Sequence, residues 1–83
     1  MLDYQTTLEL LKNAKEGSEE AKSQLITHNM PLIKSIAKRY RNKQVEYDDL
    51  LQLGALGLVK AINNFDLNFN VKFSTYAVPM IAG

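Results

Sequence analysis

The chain has 83 residues, a formal net charge of +1 and no cysteine. That length supports one small domain around one modest core. The missing thiols exclude a disulfide scaffold and any thiolate metal site.

The polar start, with an acid at Asp3, carries no signal-peptide pattern. No apolar run approaches the roughly 18 residues of a membrane span, so the expected location is cytoplasmic. Thr6 or Thr7 can cap a first helix with Leu8, Leu11 and Ala14 as its apolar stripe. Gly17 ends that helix in a left-handed turn. Ser18 caps a second, with Glu19 and Glu20 against its positive end and Ala21, Leu25 and Ile26 inward. Residues 1–28 therefore read as a helical hairpin whose plain role is packing support. His28 is the single histidine and has no companion ligand at metal spacing.

Two readings stand at Asn29. It can cap a third helix with Pro31 in the first turn, or the second helix can run on with a bend at Pro31. Beyond it, Ile33, Ile36, Ala37 and Tyr40 recur at helical spacing. Lys34, Lys38 and Arg41 line another face, with Arg39 and Lys43 close by. Such a stripe tracks a phosphate backbone or forms a solvated back. Residues 41–46 form a polar connector.

Residues 48–66 read as one central helix. At about 100° per residue, Leu50, Leu51, Gly54, Leu58, Ala61, Ile62 and Phe65 form a core-facing stripe. The opposite side mixes Asp49, Gln52, Lys60 and Asn63 with Leu53, Leu56 and Val59. Apolar groups among outward charges indicate a docking surface; the plainer alternative is that another helix of the domain covers them. Gly54 and Gly57 each weaken a helix interior by roughly 1 kcal/mol against Ala, which close approach of another backbone would offset. Asn68 and Asn70 mark a loop, after which Ser74 caps a last helix that Pro79 kinks or shortens. The fold expected is all-α, a small bundle of four to five helices, with an apolar C-terminal stretch that reads as cut before its next element.

Phe65, Phe69, Phe73 and Tyr76 fall near Lys72, Ser74 and Thr75. Rings beside a cation and hydroxyls are the parts of a single-strand site, where stacking contributes roughly 1–3 kcal/mol per base. The plainer alternative plugs the phenylalanines into the core, which suits Phe65 and Phe73 best. Tyr76, with its polar tip, is the best exposed platform.

Three blocks, HNMPLIKSIAKRYRN, EYDDLLQLGALGLVKAINNFD and NVKFSTYAVPMIAG, resemble region 2 of the bacterial sigma-70 class, over about residues 20–83 with part of the preceding region 1.2. The form KFSTYAVPMI, together with the lead-in NAKEGSEEAKSQLITHNMPLIKS, resembles the sporulation group sigma-F and sigma-G, leaning toward sigma-F. The resemblance implies a helical domain that binds RNA polymerase core and recognises and melts the promoter −10 element. Its dock for the coiled coil of the β′ subunit falls on Asp49, Leu50, Gln52, Leu53, Ala55, Leu56 and Val59. Leu53 replaces an acid of the housekeeping pattern and Ala55 an amide, which makes the dock more apolar. The pocket for a flipped adenine of the non-template strand falls on Phe65, Asp66, Lys72, Ser74, Thr75 and Tyr76. Asn29 and Leu32 align with a second base pocket. Pro79 and Met80 stand where housekeeping factors carry a Trp pair, leaving Met80 as an apolar wedge. The resemblance divides the chain into the 1–28 hairpin and a 29–83 core-binding and melting part. It also implies an anti-sigma partner and, within the sporulation group, action in the forespore.

No nucleophile–base pair, paired acids or metal cluster points to an enzyme, a cofactor or a small-molecule substrate. A helical interaction module without a nucleic-acid role remains the alternative. A helix-turn-helix repressor lacks a recognition helix with base-reading side chains.

Overall fold

The computed structural model describes residues 3–40 and 45–83. Arg41 and Lys43 of the expected basic stripe, and most of the connector, lie outside the described residues. Within them the fold is four helices: α1 (Tyr4–Lys15), α2 (Glu19–Arg39), α3 (Tyr47–Asn64) and α4 (Phe73–Ala82). Helix α3 is central, packed most heavily on α4 and α2, while α1 packs mainly on α2.

Helix α1 begins one turn earlier than expected. Its cap is Asp3, whose carboxylate accepts the Thr6 N–H at 2.7 Å. Thr7 lies inside the first turn and donates its hydroxyl to the Asp3 carbonyl at 2.8 Å. The Thr6 backbone N–H, and then its side chain, hold the Asp3 carboxyl below the ordinary carboxylate range. Gly17 supplies the left-handed exit, at φ +103°, which a Cβ would strain. Ser18 then caps α2 as read, accepting the Ala21 N–H at 3.1 Å.

The two readings at Asn29 resolve in favour of one continuous helix, so no break separates residues 1–28 from 29–83. Pro31 removes one backbone donor. Both it and Thr27, whose carbonyl that donor would have met, are exposed, so water can take its place. Leu25 before the proline and Ile33 after it are both buried, which anchors the helix on either side of it. Asn29 is not a cap: its side-chain amide donates to the Leu25 carbonyl at 2.7 Å.

Helix α3 buries Gly54, Gly57, Leu58, Ala61 and Ile62; Leu50 and Leu51 are half-buried. Its last turn has no basic residue, but Lys15 reaches across from α1 to the Asn63 carbonyl at 3.3 Å, a favourable charge at a helix C-terminus. Helix α4 starts before Ser74, because Lys72 occupies the cap position without a side-chain cap bond. Pro79 neither stops nor shortens α4. It is exposed, as is Thr75 one turn before it, so the freed carbonyl again faces water.

The two glycines of α3 differ. A Cβ on Gly57 would collide with the Met80 carbonyl group and come within 2.9 Å of the Ile81 Cα. The close backbone approach expected for the glycines is therefore found here. A Cβ on Gly54 would instead meet side chains, Ile33 Cγ2 at 2.7 Å and Ile81 Cγ2 at 3.3 Å. Side chains can shift where a backbone cannot. Gly57→Ala is expected to destabilise the domain by about 3 kcal/mol or more, lowering Tm by roughly 10–20 °C. Gly54→Ala should cost less than half as much, since helix propensity returns about 1 kcal/mol. Thermal melts of the two variants followed by circular dichroism check the order.

Candidate functional site

Two separate surfaces collect the residues singled out from the sequence. The first lies where the start of α4 meets the start of α1 and the middle of α2. Asn29 and Leu32 of α2 and Lys72, Phe73 and Ser74 of the α4 N-terminus line one cavity of about 330 Å³, at the small end of ligand pockets. Asp3, Tyr4, Thr7 and His28 complete the wall. Sequence reasoning did not place these four there. They come from segments 46 or more residues away from Ser74, and no periodicity links them to it.

The chemistry of the cavity is mixed. The Asn29 amide nitrogen is held by Leu25, which leaves its carbonyl oxygen as an acceptor. Ser74 adds a hydroxyl, Leu32 an apolar floor and Lys72 a cation. Because α4 has no side-chain cap, its first N–H groups are open to an anion, and the helix dipole adds positive potential there. Asp3 brings the opposite charge from α1.

Beside this cavity stands an aromatic cluster centred on Phe65. Its ring makes edge contacts with Phe69 at 5.5 Å, Phe73 at 5.4 Å and Tyr76 at 5.3 Å. Phe65 is only 1% exposed, so the direct base contact expected of it gives way to a supporting role beneath the other rings. Phe73 is likewise buried. Tyr76 is half-buried, and Phe69, 41% exposed, lies 5.5 Å from it. These two form the accessible part of the shelf. Phe69 belongs to the aromatic cluster of the sequence, and the adjoining turn is what brings it to Tyr76. Asp66 makes that turn: its carboxylate accepts the Asn68 N–H at 2.8 Å and its carbonyl the Phe69 N–H at 2.9 Å. Its visible work is to position Phe69. Thr75 is exposed on α4.

The second surface is the outward side of α3. Leu53 and Leu56 are 58% and 59% exposed, so among the described residues no helix covers them. Asp49 and Gln52 are also exposed, Leu50 and Val59 half-buried. Ala55 faces partly inward and packs against the core, which leaves it less to offer a partner. Leu50, Leu53 and Leu56 join Ile36 and Tyr40 of α2 and Met80 of α4 around a shallow apolar cavity of about 290 Å³. Met80, which the resemblance placed at the wedge position, lines this cavity one turn of α4 beyond Tyr76. Lys34, Lys38 and Arg39 are exposed on α2. The ion pair formed among the described residues is Lys22 with Glu19 at 3.7 Å, so these cations are not consumed by internal pairing.

Among the described residues no cluster of His, Cys, Asp and Glu gathers in a way that would hold a metal. No helix of these residues is long and apolar enough to cross a membrane.

Burial separates support from surface. Phe65→Ala is expected to cost about 3–5 kcal/mol of stability and Phe69→Ala about 1 kcal/mol or less, measured by urea unfolding. A silent Phe65→Ala would remove Phe65 from the core.

Residues 25–83 match the family model for sigma-70 region 2. The chain is 49% identical over 75 residues to an RNA polymerase sigma-F factor of Bacillus licheniformis, covering 90% of this chain and 29% of the relative. A sigma-F factor of Bacillus subtilis is 48% identical over the same shares. A sigma-G factor of Bacillus subtilis is 52% identical over 68 residues, 82% of this chain and 26% of the relative. These identities do not separate the two groups. The chain spans under a third of the length of these three relatives.

Proposed function

Because the chain belongs to the sigma-70 region 2 family, close to sigma-F and sigma-G factors, we propose that it is the part of a sporulation sigma factor that docks on RNA polymerase core and opens the promoter −10 element. The observation that carries this reading is the convergence of Asn29, Leu32, Lys72 and Ser74, spread over 46 residues of chain, on one cavity beside the Phe69–Tyr76 shelf.

In this reading the non-template strand lies along the start of α4. A flipped base stacks on Tyr76, with Phe69 at its side and Phe65 holding both rings in place. Taking a base out of the duplex costs a few kcal/mol, and stacking at roughly 1–3 kcal/mol per base offsets it. A second base enters the cavity, where the Asn29 oxygen, the Ser74 hydroxyl and the apolar Leu32 wall meet its edge and face. Lys72 and the open N–H groups of α4 meet phosphate oxygens. The ridge of Asp49, Gln52, Leu53 and Leu56, flanked by Leu50 and Val59, docks the β′ coiled coil. Met80, being beside that ridge, serves the polymerase side rather than wedging the DNA fork. An anti-sigma protein withholds the factor until the forespore requires it.

Fluorescence anisotropy with a single-stranded −10 oligonucleotide tests the DNA half. Affinity should fall as salt rises, and Tyr76→Ala should weaken it by roughly 5- to 100-fold. A pull-down with the β′ coiled coil tests the other half: Gln52→Ala and Asp49→Ala should lose binding that Tyr76→Ala retains. Salt-insensitive binding, unchanged by Tyr76→Ala, would overturn the strand-capture role. Docking without any strand binding would instead favour a helical interaction module.

A further inference from the structure

Asp49, Leu53, Leu56 and Lys60 recur on α3 at intervals of four, three and four residues. At about 100° per residue all four fall within roughly 60° of arc, directly opposite the buried Leu58. The two leucines are more than half exposed. Asp49 and Lys60 are exposed too, and among the described residues neither has an ion-pair partner.

The order of this stripe is acid, leucine, leucine, base, and its midpoint falls between Gly54 and Ala55. Rotating a second copy by a half-turn about that midpoint sets Asp49 opposite Lys60 of the second copy, and Leu53 opposite Leu56. Both relations hold in both directions, as a two-fold contact demands. Leu50 and Val59, half-buried, flank the stripe on its two sides. A parallel pairing would instead set acid on acid and base on base. We infer that this face of α3 docks antiparallel against the same face of a second copy of this chain.

The seam spans about 16 Å of helix. A standard interface covers about 800 Å² on each partner, and a seam this short falls below it. The dimer is therefore reversible and concentration-dependent. It hides the ridge assigned above to the polymerase dock, so self-pairing and docking exclude each other. The pairing itself does not rest on that assignment.

Sedimentation velocity of the 83-residue chain, from low to high micromolar concentration in low salt, tests it without polymerase or DNA. The sedimentation coefficient should rise with concentration. D49K or K60D alone should weaken association at least tenfold, and the double variant D49K/K60D should restore it, because the charges then oppose again with signs exchanged. L53D should abolish it. All four positions tolerate exchange by their exposure, and circular dichroism verifies the fold of each variant. A monomer throughout the range, single reversals that associate like the parent, or a folded double variant that stays monomeric would each overturn the proposal.

Discussion

Helices α3 and α4 meet at Gly57, where the Met80 carbonyl group and the Ile81 Cα stand in the space a side chain would need. Dispersion and apolar burial are collected there at backbone-to-backbone distance, and interiors this dense do not yield to an added carbon. The contact sets the distance and rotation of α4 on α3. With that rotation settled, Ile81 lies over Gly54 and Phe73 reaches Phe65 at the other end of the pair. A shift of α4 would move Phe73 and Tyr76 against Phe65 and so disturb the shelf.

The two surfaces owe their character to what packing leaves over. On α3, one arc is buried against α2 and α4, which leaves Leu53 and Leu56 on the opposite side with solvent as their neighbour. At the α4 start, burial of Phe73 brings an uncapped helix N-terminus and Lys72 to the rim of a cavity. Phe65 connects the core to this rim. It is buried itself, yet it touches both rings that remain accessible. Edge contacts of this kind hold the two accessible rings against the core.

The prolines follow one rule. Pro31 and Pro79 both interrupt helices, and both lie on exposed faces one turn beyond an exposed residue. In each case the orphaned carbonyl is available to water, which lowers the penalty of the missing donor. Buried residues before and after each proline then keep the helix continuous. Sequence rules treat proline as a stop because they count the lost bond and not the burial on either side.

The sequence alone was enough for the all-α class, for the exit at Gly17, for the Ser18 cap and for the division of α3 into a buried and a mixed side. These follow from local chemistry: a positive φ, a hydroxyl one turn from an amide, and a 3.6-residue period. It also carried the family through three ordered blocks. Only tertiary structure decided which of the four clustered rings stay accessible, that Asp3 and not a threonine caps α1, and that Met80 lines a cavity with Leu53 and Leu56. It alone assembled the cavity shared by α1, α2 and α4. The physical reason is range. Periodicity reports which face of one helix is apolar, whereas the approach of α4 at Gly57 and the meeting of Asn29 with Ser74 depend on how separate helices stack, which no local pattern encodes.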